Sequence, residues 1–449
     1  MLDIGPIHRR EYELDGGRQT GKKRTVKGDS RTQSAKIGKN AAKGAAKGAK
    51  NAVKGAARGG VGRNARKVAV KGAAKGVGKS AEPVIIAQSP GRIHFLGEHG
   101  DPSAGLYLSA AIDRWMMAAI SVRKDNALRF YAADLGERKR TTLANLKYKR
   151  EDRWANYVKT AIHVFVELGL PVKGLNCTIT GNIPQQIGLA ASSALEVAAA
   201  VALKGLFRAK ISNMELAQRL AASHELFFEE KPSMADYMIG LLAKNGHFLL
   251  VDESNLTVTA IKSPFPRCKY IMMDSRVPRL GVDTELTARK NSLETGLEML
   301  SQGREGASFR EFAAMDLMDS MGNFPEEIRR RSLHVVEEIR RVLDAADCLE
   351  RADLAGFSRL VFHSHESLRD LFEVSCPEID WMVKRAQETE GVFGARMTGQ
   401  GFGGCTYTII KNEAIKGYRE RMDEYERIFG FQPGIYELKL AAGSKVVGK

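Results

Sequence analysis

The stretch NIPQQIGLAASSALEVAAA (Asn182–Ala200) decides the fold. It overlaps LNCTITGNI (Leu175–Ile183), whose composition and bounding turn residues predict a strand. That strand ends at Pro184, a glycine-containing loop follows, and an Ala-rich helix is expected from about Ser192 to Phe207. The entry to the helix is made of Ala190, Ala191, Ser192 and Ser193, small residues that let a ligand approach the backbone. Amides without intrahelical partners, at the positive end of the helix dipole, suit phosphate. A capped core helix reads the same way locally, so the segment has to be weighed with the rest of the chain.

Outward from this core, elements of both kinds follow without a regular strand–helix–strand period. On the N-terminal side, VIIAQS (Val84–Ser89) and WMMAAISVR (Trp115–Arg123) read as strands, and a helix is expected from Trp154 to Gly169. On the C-terminal side, MELAQRLAASHELFFEE (Met214–Glu230) reads as a helix that leads into KPSMADYMIGLLAKNG and the strand HFLLVD (His247–Asp252). A second half starts near Pro264 with the strand KYIMMDS (Lys269–Ser275). Three helical stretches, a Gly-rich segment, the helix AIKGYRERMDEYERIFG and the strand IYELKL follow. The class expected is α+β.

Two more segments carry chemistry-bearing residues. PGRIHFLGEHGDPSAG (Pro90–Gly105) reads as a turn between strands that crowds Arg92, His94, Glu98, His99 and Asp101 together. Carboxylates accept from hydroxyls and an arginine steadies developing negative charge, so the set suits a polyhydroxylated ligand, or else is an ordinary polar loop. GARMTGQGFGGC (Gly394–Cys405) holds five glycines, which signal positive φ or close backbone approach. A tight loop and a ligand cradle both fit that pattern.

Composition excludes several classes. The 449 residues are 43% hydrophobic and 27% charged, enough to bury a large core. No apolar run is long enough for a membrane span. The five cysteines are scattered, with no CxxC pair, which suits a reducing cytoplasm better than a disulfide framework or a zinc site. The net charge of +16 comes from one end: residues 1–80 hold 21 Lys+Arg against 5 Asp+Glu, and the remainder holds 48 of each. Residues 21–80 carry 18 Lys+Arg and one acid, Asp29, and the run KNAAKGAAKGAKNAVKGAARGG within them repeats a Lys-Gly-Ala-Ala theme with little to bury, so 1–82 is expected to be a disordered basic tail. Such a tail suits non-specific attachment to nucleic acid or another polyanion, or is a solvated extension. Its GAAKGVGKS (Gly72–Ser80) mimics a phosphate-binding loop, but the glycine spacing is one residue too long and no apolar strand precedes it.

Taken in order, the three segments resemble the signatures of the GHMP kinase superfamily, and within it the galactokinase family. WANYVK (Trp154–Lys159), HFLLVD and HSHESLRDLFEVSCPEID (His363–Asp380) are similar to galactokinase sequence at the corresponding places. The resemblance covers about residues 84–440 and leaves the basic tail outside. It implies a two-domain fold, with an N-terminal domain like ribosomal protein S5 domain 2 over residues 83–262 and a ferredoxin-like C-terminal domain over 263–449. It also implies ATP and Mg2+ as cofactors, and a sugar, galactose favoured, phosphorylated at its anomeric hydroxyl.

By the same resemblance, Asp236 in SMADY is the catalytic aspartate and Arg92 its partner. Glu98, His99, Asp101 and Ser233 fall at sugar-contacting places. The phosphate loop is Gly188, Leu189, Ala190, Ala191, Ser192 and Ser193, with Trp154 near adenine. Metal contacts fall on Ser192 and Glu225, the latter one residue out of register, with Ser223 or His224 at the aligned place. This chain departs from the family at His94, Gly100, Pro102, Ser233 and Leu286 around the sugar, and at Gln186, Ala190 and Ala191 in the phosphate loop. Those departures leave open a different sugar, or a galactokinase-like sensor that binds sugar and ATP with weak turnover.

Overall fold

The computed structural model describes residues 83–101, 105–185, 187–279, 281–303, 307–319 and 322–448. The expected disordered tail, Pro102 and Gln186 lie outside the described residues. Two sheets carry the molecule. The first contains β1 (Val84–Leu96), β2 (Leu106–Val122), β3 (Ala127–Ala132), β4 (Glu137–Thr142), β5 (Leu175–Gly181), β6 (His247–Asp252) and β7 (Thr257–Lys262). The second has the order β11-β8-β10-β9, built from β8 (Cys268–Asp274), β9 (Val392–Thr398), β10 (Cys405–Lys411) and β11 (Gly434–Leu438). The chain then returns: β12 (Lys445–Gly448) pairs antiparallel with β1 and completes the first sheet.

The long central pair β1–β2 corrects the reading of Pro90–Gly105 as a turn. The strand continues through Pro90 to Leu96, and the pairing absorbs two register shifts, at Pro90/Arg92 and His94/Leu96. A proline has no N–H to give to a ladder and is tolerated at such irregularities. Arg92 and His94 therefore stand on a strand and are aimed by its pleat, while Glu98, His99 and Asp101 follow it in the loop.

Helix α1 (Ala155–Glu167) starts one residue after Trp154, and α2 (Ala191–Phe207) starts within a residue of its expected place. The α2 face made of Ala194, Val197, Ala198 and Ala202 is fully buried, and its small side chains let the helix lie close on β1 and β2. Next come α3 (Asn213–Phe228), N-capped by Ser212 accepting from Glu215 N, and α4 (Met234–Leu242), which carries Asp236 in its first turn. The second half supplies α5 (Val282–Ser301), α6 (Ala314–Asp319), α7 (Glu326–Glu350), α8 (Leu354–Asp370) and α9 (Pro377–Gln387). The expected single helix near the C-terminus is two pieces, α10 (Ile415–Met422) and α11 (Glu424–Phe429). Ile271, Met273, Met382, Ala395, Ile410 and Tyr418 form the core between the second sheet and its helices.

A buried polar seam joins the two sheets. Arg396 on β9 is 0% exposed and lies between Glu98, 3.1 Å away, and Glu338 of α7. Glu338 also pairs with Arg341 at 2.8 Å and accepts from Gly97 N and Ser364. Tyr407 donates to the Phe95 carbonyl at 2.7 Å. Charges this deep persist only when paired and hydrogen-bonded, and these are.

Candidate active site

The three chemistry-bearing segments converge on one cavity of about 390 Å³. Its wall takes Arg92, His94, Glu98 and His99 from the first segment, Gly188 and Ala190 from the second, and Gly399 and Gln400 from the third. Ser233, Tyr107 and Arg279 complete it. Gly188 and Gly399 approach so closely that a Cβ on Gly188 would meet Gly399 Cα at 3.3 Å. Both glycines also hold positive φ, 76° at Gly188 and 87° at Gly399, a conformation that favours glycine.

Arg92 ties strand, loop and helix together. Its Nε donates to Asp236 Oδ1 at 2.6 Å, and its Nη1 donates to the Gly188 carbonyl at 2.5 Å. Its own backbone N–H donates to the Leu189 carbonyl at 3.2 Å. Burial alone would lower the affinity of Arg92 for its proton, but Asp236 and Glu98 outweigh that and raise it. Ser193 donates to the other Asp236 oxygen at 3.3 Å. Ala190, at the N-cap of α2, sits in the left-handed region (φ 56°) and offers no side-chain cap. The first amides of this 17-residue helix thus remain open to an anion.

The remaining expected residues are placed as follows. Glu98 borders the cavity, but its oxygens accept from Arg396, Thr398 and the Gly399 N–H. Burial pushes its carboxyl above the ordinary value, against the pull of Arg396 and Arg92. His99 Nε2 lies 3.2 Å from the Gly399 carbonyl, and burial, with Arg396 nearby, lowers its pKa to about 4. Asp101 is not among the cavity's lining groups; it accepts from Ser308 Oγ at 2.5 Å and Phe309 N at 3.1 Å. Trp154 is 1% exposed, with its indole donating to Glu137, and likewise does not line the cavity. Ser233 does line it, its hydroxyl donating to Glu253 Oε1 at 3.0 Å. Leu286 is half-buried on α5, outside the lining.

For Mg2+ the residues present do not make an ion cage. Ser192 is half-buried at the second position of α2, whereas Glu225 is exposed on α3. Of the two residues at the aligned place, Ser223 donates to the Thr160 carbonyl at 3.0 Å, and His224 Nδ1 lies 2.7 Å from Glu196, which also accepts from Tyr237 at 2.5 Å. Among the described residues, no group of three His, Cys, Asp or Glu side chains is arranged to hold a metal.

Sequence reasoning missed several groups at the site. Tyr107 stacks on His94, and Glu253 accepts from Ala235 N at 2.6 Å, supplying the N-terminal contact for α4 that Ser233 does not. Arg279 reaches the cavity from the loop after β8, and its Nη2 has no hydrogen-bond partner among the described residues. No local pattern marks these three. Each is one polar residue in an unremarkable context.

Comparison with known proteins identifies the family. Residues 156–244 match the model of the GHMP kinases N terminal domain, and 318–425 that of the GHMP kinases C terminal region. Residues 75–122 match the galactokinase galactose-binding signature. A putative galactokinase of Treponema pallidum is 40% identical over 374 residues, covering 82% of this chain and 93% of that protein. Human galactokinase is 33% identical, with coverage of 82% and 93%. The crystal structure of Lactococcus lactis galactokinase complexed with galactose superposes with a TM-score of 0.77 at 26% identity, covering 84% of this chain and 98% of that one.

Proposed function

The chain belongs to the galactokinase family of the GHMP kinases, and we propose that it transfers the γ-phosphoryl group of ATP to the anomeric hydroxyl of galactose, with Asp236 and Arg92 as the reacting pair. The observation that carries this reading is the 2.6 Å contact from Arg92 Nε to Asp236 Oδ1, beside the open N-terminus of α2.

Phosphoryl transfer needs alignment and charge stabilisation more than covalent help. The Asp236 carboxylate takes the proton of the sugar's anomeric hydroxyl as its oxygen forms the new bond to phosphorus. The bond from the γ-phosphorus to the bridging oxygen breaks, and ADP leaves with that electron pair. Arg92 holds the carboxylate and, with Arg279, puts positive charge on the cavity wall. The amides of Ala191, Ser192 and Ser193 receive phosphate oxygens, while Glu98, His99 and Ser233 border the space left for the sugar. Divalent metal enters this reading as part of the nucleotide substrate, and no step depends on a protein-built ion site.

ADP release measured across galactose, other hexoses, amino sugars and uronic acids tests the proposal. Turnover selective for galactose is expected. Turnover with another sugar alone would reassign the substrate, and galactose binding without ADP release would favour a sensor.

Two coarser points complete the reading. Free thiols at Cys177, Cys268, Cys348, Cys376 and Cys405 are consistent with a reducing cytoplasm. The charge excess in residues 1–80 supports polyanion attachment that is separate from catalysis.

A further inference from the structure

Asp236 is enclosed by more than Arg92. Its Oδ2 accepts from Ser193, and on the Oδ1 side His94 Nε2 stands 3.7 Å away. His94 is itself fixed twice. Its Nδ1 pairs with Ser109 Oγ at 2.6 Å, and its ring stacks on Tyr107 with centroids 4.5 Å apart and planes 24° apart. His94 is 3% exposed yet reaches the wall of the cavity next to Arg92. Ser109 is 0% exposed, so this Ser–His–Asp string offers no hydroxyl to a substrate and is not a hydrolytic triad.

The polarity of the string follows from what each group can donate. Burial, with Arg92 and Arg396 close by, keeps the imidazole neutral, so one ring nitrogen carries a proton and the other accepts. A carboxylate paired with a guanidinium accepts, whereas a serine hydroxyl can donate. The arrangement that serves all three has Ser109 donating to Nδ1 and the proton on Nε2, facing Asp236. Arg92 anchors Oδ1 from one side and Ser193 reaches the other oxygen at 3.3 Å; His94 Nε2, at 3.7 Å just outside hydrogen-bonding distance, is placed to add a second N–H to Oδ1 and fix the plane of the carboxylate once it closes. Catalytic contacts are often long before substrate binds and shorten once water is excluded, which suits the 3.7 Å separation.

We propose that His94 is a positioning residue for phosphoryl transfer: its Nε2–H, held in place by Ser109 and Tyr107, sets the orientation in which the Asp236 carboxylate meets the sugar hydroxyl. This rests on the role given to Asp236 above. The sequence reading counted His94 among the polar groups of its segment and as a departure from the family; here that departure has a function of its own.

The test uses the full chain and steady-state ADP release with galactose. Gln places a side-chain N–H near the position of His Nε2, whereas Asn reaches only the position of Nδ1. His94→Asn is expected to lower kcat by about 10- to 100-fold with little change in the KM for galactose, and His94→Gln to recover most of that loss. In an Asp236→Asn background, His94→Asn should cost almost nothing further, because the group it positions is already gone. Equal losses in both backgrounds, or a His94→Gln variant no better than His94→Asn, would overturn the inference. Melting temperatures separate a folding defect from a kinetic one. Absence of turnover in the unmodified protein with every sugar would instead sink the functional reading, so the two failures are distinguishable.

Discussion

Arg92 Nε and Asp236 Oδ1 meet at 2.6 Å although 144 positions of sequence separate them. The strand β1 aims the arginine, the first turn of α4 aims the aspartate, and the Gly188 carbonyl holds the far side of the guanidinium at 2.5 Å. The pair is therefore fixed by three segments that have no local reason to be neighbours.

Replacing either partner should affect the chemistry more than sugar binding. Asp236→Asn removes the proton acceptor and keeps the shape, and kcat is expected to fall at least about 10²-fold. Arg92→Met leaves a half-buried carboxylate without its cation, so both kcat and stability should drop. Steady-state kinetics and thermal melts check both; near-normal turnover in Asp236→Asn would falsify its assignment.

Acid should destabilise the protein in two windows. His99 is kept neutral by burial, with a pKa of about 4 against an ordinary 6.5. The stability it contributes is full above about 6.5 and is lost as pH falls toward 4. Burial would raise the Glu338 carboxyl, but Arg341 and Arg396 outweigh it and hold it at about 2 against 4.5. Its contribution is present above 4.5 and is lost as pH falls toward 2. Denaturant midpoints measured from pH 7 downward should fall through both windows.

Glu338→Gln tests the seam between the sheets. It leaves Arg396 and Arg341 buried with one fewer anion, and the expected loss of stability is about 3–5 kcal/mol at neutral pH. The variant should also lack the lower of the two acid windows, as an equilibrium unfolding series would show.

Ala190 holds a left-handed conformation at the entry to α2. That conformation costs an alanine about 1–2 kcal/mol, while glycine adds back roughly 0.5–1 kcal/mol through its looser unfolded chain. Ala190→Gly should thus raise stability by a fraction of a kcal/mol. A loss in urea midpoint would show that the Ala190 methyl packs more than it strains.

Removal of residues 1–82 should leave kcat/KM for galactose unchanged and abolish retention on nucleic acid or heparin at low salt. The rest of the chain is electrically balanced, so a column experiment across a salt gradient reads the tail alone. Retention that survives the truncation would end the polyanion reading.

Much of the site was legible because its segments are locally unusual. A strand, a Gly loop and a small-residue helix entry mark where a helix begins, and α2 does begin within a residue of its expected start, although a capped core helix carries the same local pattern. HFLLVD is strand β6 to the residue, a short continuous apolar run bounded by His247 and Asp252. The extent of β1 was not legible. Pro90 and Gly91 look like a turn, and only the neighbouring β2 shows that the ladder continues past them.

Local composition and pattern marked many of the elements, the family resemblance, the charge asymmetry and a set of candidate polar groups. The tertiary structure decided which partner each group takes. Glu98 and Asp101 look alike in sequence, two acids in one polar segment. The first borders the cavity while bonded to Arg396, Thr398 and Gly399, and the second is drawn to Ser308 and Phe309. Hydrogen bonds act over about 3 Å, so the role of a carboxylate depends on which donors the folded chain delivers to it from hundreds of residues away.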